Sequence, residues 1–185
     1  MDNILLRFTG ATIGRFYIPS FTVSPGEVVI IGLPGGPYFM ETVRLMVPQL
    51  QEISPFIYAK KIGSRSFWRK LIPETVQSYV TKNGNPHHPI IREIYQLPNV
   101  YPHSNIHQVN ANDQAIIQLC CALSLSNAIM ADFQAVGVAR EDLFLELVTQ
   151  QVQRHQGAAL LFDECRDLQH RCTRFITAEY LGDAL

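Results

Sequence analysis

Glu27-Val28-Val29-Ile30-Ile31-Gly32-Leu33-Pro34-Gly35-Gly36-Pro37-Tyr38-Phe39-Met40-Glu41-Thr42-Val43 decides the fold of this chain. After Glu27, Val28-Val29-Ile30-Ile31 make a continuous apolar, β-branched run of the length of a buried strand. A turn rich in glycine and proline follows. From Tyr38 to Val47 apolar residues then recur at helical spacing, with Pro37 suited to the first helical position and Pro48 as the expected end.

Upstream, residues 4–8 and 16–23 are rich in β-branched and aromatic side chains, and Ser24-Pro25-Gly26 separates them from the buried run. The spacing predicts three strands in the first thirty or so residues. Downstream, residues 51–109 carry Pro55, Pro73, Pro86, Pro89, Pro98 and Pro102 and a polar Lys82-Asn83-Gly84-Asn85 turn. They read as an inserted, partly helical layer with short helices at 74–80 and 90–97. In the last third the period is clean. Asn112 and Asp113 are expected to cap a helix with Ile116, Leu119, Cys120 and Leu123 on one face, before a strand at 128–133. A helix at 141–156 is expected to stop at Gly157, with strands at 158–162 and 174–178 on either side of a short polar helix. This alternation predicts one α/β domain over residues 1–185: a mostly parallel sheet flanked by helices, with an antiparallel N-terminal layer.

Composition narrows the function. In 185 residues, hydrophobic side chains make up 47% and charged ones 17%, enough apolar material for a core and too little charge for disorder. Lys and Arg total 15 against 16 for Asp and Glu, a net charge of -1, so no basic field draws a nucleic-acid backbone. No apolar run has membrane-spanning length, and Met1-Asp2-Asn3 lacks the basic opening of a secretory signal; the expectation is a cytoplasmic protein with no direct membrane insertion.

The four cysteines, Cys120, Cys121, Cys165 and Cys172, lack C-x-x-C spacing and read as core. Cys165, His170 and Cys172 supply three ligands where a structural zinc needs four, so no metal is expected. His103 and His107, four apart but beside Pro102, and His87-His88 between prolines read as solvated loops. Trp68, in Ser66-Phe67-Trp68-Arg69-Lys70, reads as a core or shelf aromatic, with a partner contact as the alternative.

The order of parts resembles the ATPase cassette of ABC transporters over nearly the whole chain. The resemblance runs from Ser20-Phe21-Thr22-Val23-Ser24-Pro25-Gly26 into the buried strand and Gly32. It continues through the helix ending Ala122-Leu123, the strand ending in Asp132, Gly157 with its strand, and Arg174-Phe175-Ile176 before Gly182. It implies a P-loop NTPase-like fold and a site for ATP and magnesium.

A working phosphate loop reads G-x-x-x-x-G-K-[ST], in which backbone N–H groups cradle phosphates, the lysine reaches the β and γ phosphates and the hydroxyl holds magnesium. Gly32, Gly35 and Gly36 remain, but Pro37, Tyr38 and Phe39 stand where the resemblance implies glycine, lysine and hydroxyl. Losing two or three charge-assisted bonds weakens triphosphate binding by roughly three to six orders of magnitude. The signature segment falls on Val109-Asn110-Ala111-Asn112-Asp113, where Asp113 would repel a phosphate. Asp132 matches the aspartate that orients magnesium, but Phe133 stands where a glutamate positions water, and Asp163-Glu164-Cys165 where a histidine senses phosphate. Phe8, Phe16 and Tyr17 offer no clear adenine platform, Phe8 reading as core, and neither Gln77 nor Gln96 has the context of the linking glutamine.

The reading is therefore a non-catalytic, cassette-like subunit without cofactor, whose vestigial site is Gly32, Gly35, Gly36 and Asp132. The resemblance implies a protein partner: a second copy, an active cassette or a transmembrane subunit. Two alternatives stand beside it. One is a transporter subunit that still binds ATP and magnesium through residues 32–36 and Asp132. The other is an α/β enzyme using Asp132, Asp163 and Glu164 on a small substrate, which predicts a concave pocket joining those acids.

Overall fold

Side chains alternate across a strand, so a strand whose every residue is apolar must be covered on both faces. The computed structural model describes residues 3–62, 73–133, 136–164 and 168–182, and its central strands are of this kind. In chain order the strands are β1 (Leu6–Phe8), β2 (Ala11–Ile13), β3 (Phe16–Ile18), β4 (Phe21–Val23), β5 (Val28–Gly32), β6 (Ile57–Tyr58), β7 (Ala128–Asp132), β8 (Ala158–Asp163), β9 (Arg174–Thr177) and β10 (Glu179–Tyr180). The helices are α1 (Pro37–Glu52), α2 (Val76–Asn83), α3 (Ile91–Ile94), α4 (Ala111–Leu125) and α5 (Val138–His155).

Five strands form a parallel sheet in the order β6-β7-β8-β5-β9. Val28, Ile30, Ile129, Ala131, Ala159 and Leu161 pack on one face with α2 to α5. Val29, Ile31, Met130, Leu160 and Phe162 pack on the other with α1 and the N-terminal strands. Those strands form an antiparallel layer, β1 with β4 and β10-β3-β2. The fold is thus the expected mostly parallel sheet between helices, with antiparallel strands at the N-terminal end.

Several local expectations are corrected. The described residues up to Gly32 hold five strands instead of three, because short turns isolate β2 and Pro19-Ser20 parts β3 from β4. α1 continues through Pro48 to Glu52. Pro48 lies on the exposed face, where the carbonyl it leaves without a helical donor meets water. β6, a two-residue edge strand, and β10 were too short to show a period. α4 is capped by Asn110, whose side chain accepts from the Asp113 N–H at 2.9 Å, and not by Asn112 or Asp113. α5 closes on Gln156 in the left-handed conformation (φ 52°). Gly157 serves a different need, since a Cβ there would lie 2.0 Å from the Asn127 carbonyl oxygen.

Residues 51–109 contribute β6, α2, α3 and a 3-10 turn at Ile106–Gln108. Val76, Val80, Ile91, Ile94 and Ile106 share one apolar cluster with α4 and α5. Trp68 and Cys165 lie outside the described residues.

Candidate functional site

The carboxyl ends of β5, β8 and β7 lie side by side, the usual position of ligand sites in open parallel sheets. Gly32 is the register partner of Asp163, and Asp132 that of Phe162. The turn after β5 is tied down at once: the Leu33 N–H donates to the Asp163 carbonyl at 2.8 Å, and the Leu33 side chain is buried. Gly36 then adopts φ 114° and ψ -166°, which only glycine takes without strain, and Pro37 opens α1 with no side-chain cap and no acid in the first turn.

The next two side chains pack with the apolar cluster of α1 and the N-terminal strands. Phe39 is fully buried in the core beneath α1. Tyr38 lies parallel to Tyr180, centroids 6.2 Å apart, with the Arg15 guanidinium 4.3 Å from its ring centroid. The Thr42 hydroxyl donates to the Tyr38 carbonyl at 2.9 Å, which holds that first turn. On the other side of the loop sits Glu164: a Cβ on Gly35 would lie 3.4 Å from its carboxyl carbon and from Oε2.

Asp132, at the end of β7, has a side chain only 2% exposed and is held by Lys61, whose Nζ lies 2.6 Å from Oδ2. The same ammonium donates to Sδ of Met40, in the first turns of α1, at 3.3 Å. Lys61 therefore bridges α1 and β7. Burial first, and the Asp132 carboxylate second, push the Tyr58 phenol above its ordinary pKa. The residue after Asp132, Phe133, is fully buried and meets Phe144 of α5 edge to face at 5.2 Å.

At the start of α4, Asp113 is 1% exposed and points inward. Its Oδ1 accepts from Arg140 Nε at 2.7 Å, and Oδ2 from Asn110 Nδ2 at 2.5 Å. Asn112 accepts from the Gly137 N–H at 3.0 Å. The expected repulsion by Asp113 is thereby corrected: its charge is compensated inside the protein by Arg140.

Of the predicted site residues, Gly32, Gly35, Gly36 and Asp132 share the carboxyl end of the sheet, with Asp163 and Glu164 beside them. The pocket expected to join the acids takes another form. A groove of about 840 Å³ runs between α1 and β6, lined by Met40, Glu41, Arg44, Tyr58, Lys60 and Lys61 among others, and none of the three acids lines it. Asp163 is fully buried. Lys61 is the residue the sequence reading missed, since Lys60-Lys61 after two apolar residues belongs to no spaced motif.

Other predicted positions lie elsewhere. Phe8 is buried in the N-terminal layer, and Cys120 and Cys121 are buried on α4, where burial pushes the Cys121 thiol up to about 12 and Cys120 in the same direction. His107 corrects the solvated-loop reading: it lies in the 3-10 turn, mostly buried, with Nε2 3.9 Å from Glu74. His103 is exposed and stacks on Tyr101. Among the described residues no group of three or more His, Cys, Asp or Glu side chains is arranged to hold a metal, and no helix is long and apolar enough to cross a membrane.

No protein-family model matches the chain, and no curated protein matches its sequence. Solved structures do. A metal-chelate type ABC transporter in an inward-facing conformation superposes with a TM-score of 0.67 at 13% identity, over 97% of this chain and 82% of that one. The fold is that of an ABC transporter cassette. The ATP-binding protein of an ABC transporter from Pyrococcus furiosus gives 0.63 at 11% identity over 95% of each chain. A bacterial ABC transporter cassette solved as a dimer gives 0.52 at 15%, over 98% of this chain and 99% of that one. At such identities the likeness carries the cassette architecture, and chemistry must be argued from side chains.

Proposed function

We propose that this chain is a non-catalytic, ABC-ATPase-like subunit that acts through protein contacts. The observation that carries the reading is the start of α1: Phe39 is buried in the core, and Tyr38 stacks with Tyr180 and has the Arg15 guanidinium over its ring. Tyr38 offers no cation and Phe39 no hydroxyl to a phosphate, and Pro37 offers no N–H.

Magnesium with a nucleoside triphosphate, which the fold implies, does not fit the residues present. The Glu164 side chain lies against Gly35 and takes up space beside the turn. Phe133, buried against Phe144, cannot position or deprotonate water. What remains intact is the part of a cassette that transmits force or offers surface: the sheet, both helical faces and the N-terminal layer. The partner in this reading is a second copy, an active cassette or a transmembrane subunit. The dimeric cassette and the transporter named above motivate those choices.

Calorimetric titration with ATP and magnesium tests the reading, beside recovery of the native complex by pull-down. The expected result is no saturable binding and a recovered cassette or membrane subunit. Binding tighter than about 100 μM, roughly 5.5 kcal/mol, would overturn it in favour of a nucleotide-binding subunit.

A further inference from the structure

Lys61 meets Asp132 where the start of α1 faces the end of β7. The carboxylate is almost entirely buried (2% exposed), while the lysine side chain is 41% exposed and reaches in from the loop after β6. The 3.3 Å contact to Met40 fixes the ammonium on the α1 side as well. A buried carboxylate needs a compensating charge, and the lysine stem supplies one without burying its whole length.

We propose that Lys61 is a built-in counter-cation for Asp132, taking the place between α1 and β7 where the fold would otherwise hold a divalent metal. This rests on the non-catalytic reading and deepens it: the disagreement between fold and ligand is resolved by a residue of the chain itself. Asp132 is then kept as half of an internal ion pair that ties the loop after β6 to the sheet. The consequence is a site whose stability does not respond to divalent cations.

Thermal melting of the full chain, with and without about 10 mM magnesium at fixed ionic strength, tests this. Lys61→Met is expected to melt on the order of 5 °C below the unmodified chain, and Lys61→Met with Asp132→Asn to regain most of the loss. Magnesium should raise the melting temperature of Lys61→Met alone, and Lys61→Arg should behave as the unmodified chain does. Equal melting of Lys61→Met and the unmodified chain would overturn the proposal. So would a magnesium-induced rise in the unmodified chain that Asp132→Asn abolishes.

Should Lys61→Met not fold, acylation rates read by mass spectrometry decide the matter. Lys61 should react several-fold more slowly than exposed Lys60 in the unmodified chain, with the gap closed in Asp132→Asn; equal rates in both proteins overturn it. Tight ATP binding by the unmodified chain would sink the non-catalytic reading, whereas these outcomes address Lys61 alone.

Discussion

The starts of α1 and α4 occupy the two positions that the cassette resemblance assigns to phosphate recognition, and they are built in opposite ways. α4 opens on a network of side chains: Asn110 caps it, Asp113 is bonded to Asn110 and Arg140, and Asn112 reaches the Gly137 N–H. α1 opens with no side-chain cap, on a positive-φ glycine and a proline, and its first side chains are consumed by a core and an aromatic stack. One start is satisfied by polar bonds within the chain, the other by apolar packing. Both spend on internal contacts groups that a nucleotide site would have left for the ligand.

Breaking the apolar start should have the largest effect. Phe39→Ser, which introduces a hydroxyl, is expected to lose about 3–5 kcal/mol in denaturant unfolding, because it empties a filled core position. It should gain no ATP binding in the same calorimetric assay. An ATP-binding Phe39→Ser protein would show that the ring alone closes the site, and that the two starts differ less than their contacts indicate.

The polar start should respond to charge. Arg140→Met leaves the buried Asp113 without its cation and is expected to cost about 2–3 kcal/mol, less than a fully buried pair because Arg140 is partly exposed. A loss below half a kcal/mol would mean that Asn110 alone compensates Asp113. The smallest effect should come from Asn110→Ala, about 1 kcal/mol for the lost cap. If Arg140→Met and Asn110→Ala together cost clearly less than their sum, the α4 start is one coupled network.

Legibility followed the range of the interactions. The buried runs of β5, β7 and β8 and the periods of α4 and α5 announced a parallel sheet between helices, because burial on both faces forces unbroken apolar strands. The short elements did not announce themselves: β2, β6 and β10 hold two or three residues each and exist only because a neighbouring strand offers its edge. At the site, Gly32, Gly35, Gly36 and Asp132 were visible from turn chemistry and position in the order of parts. Lys61 was not, and nothing in Asp113's local sequence pointed to Arg140, 27 residues later.

The amino-acid sequence by itself determined the architecture, through hydrophobic period and turn residues, and it named the positions that the cassette resemblance matches to a phosphate loop. Only the tertiary structure decided what those positions do instead: Phe39 becomes core, Tyr38 joins a stack, Glu164 lies on Gly35 and Lys61 holds Asp132. The reason is that secondary structure is written in local periodicity, whereas the partner of a charge is set by which loops the sheet brings together.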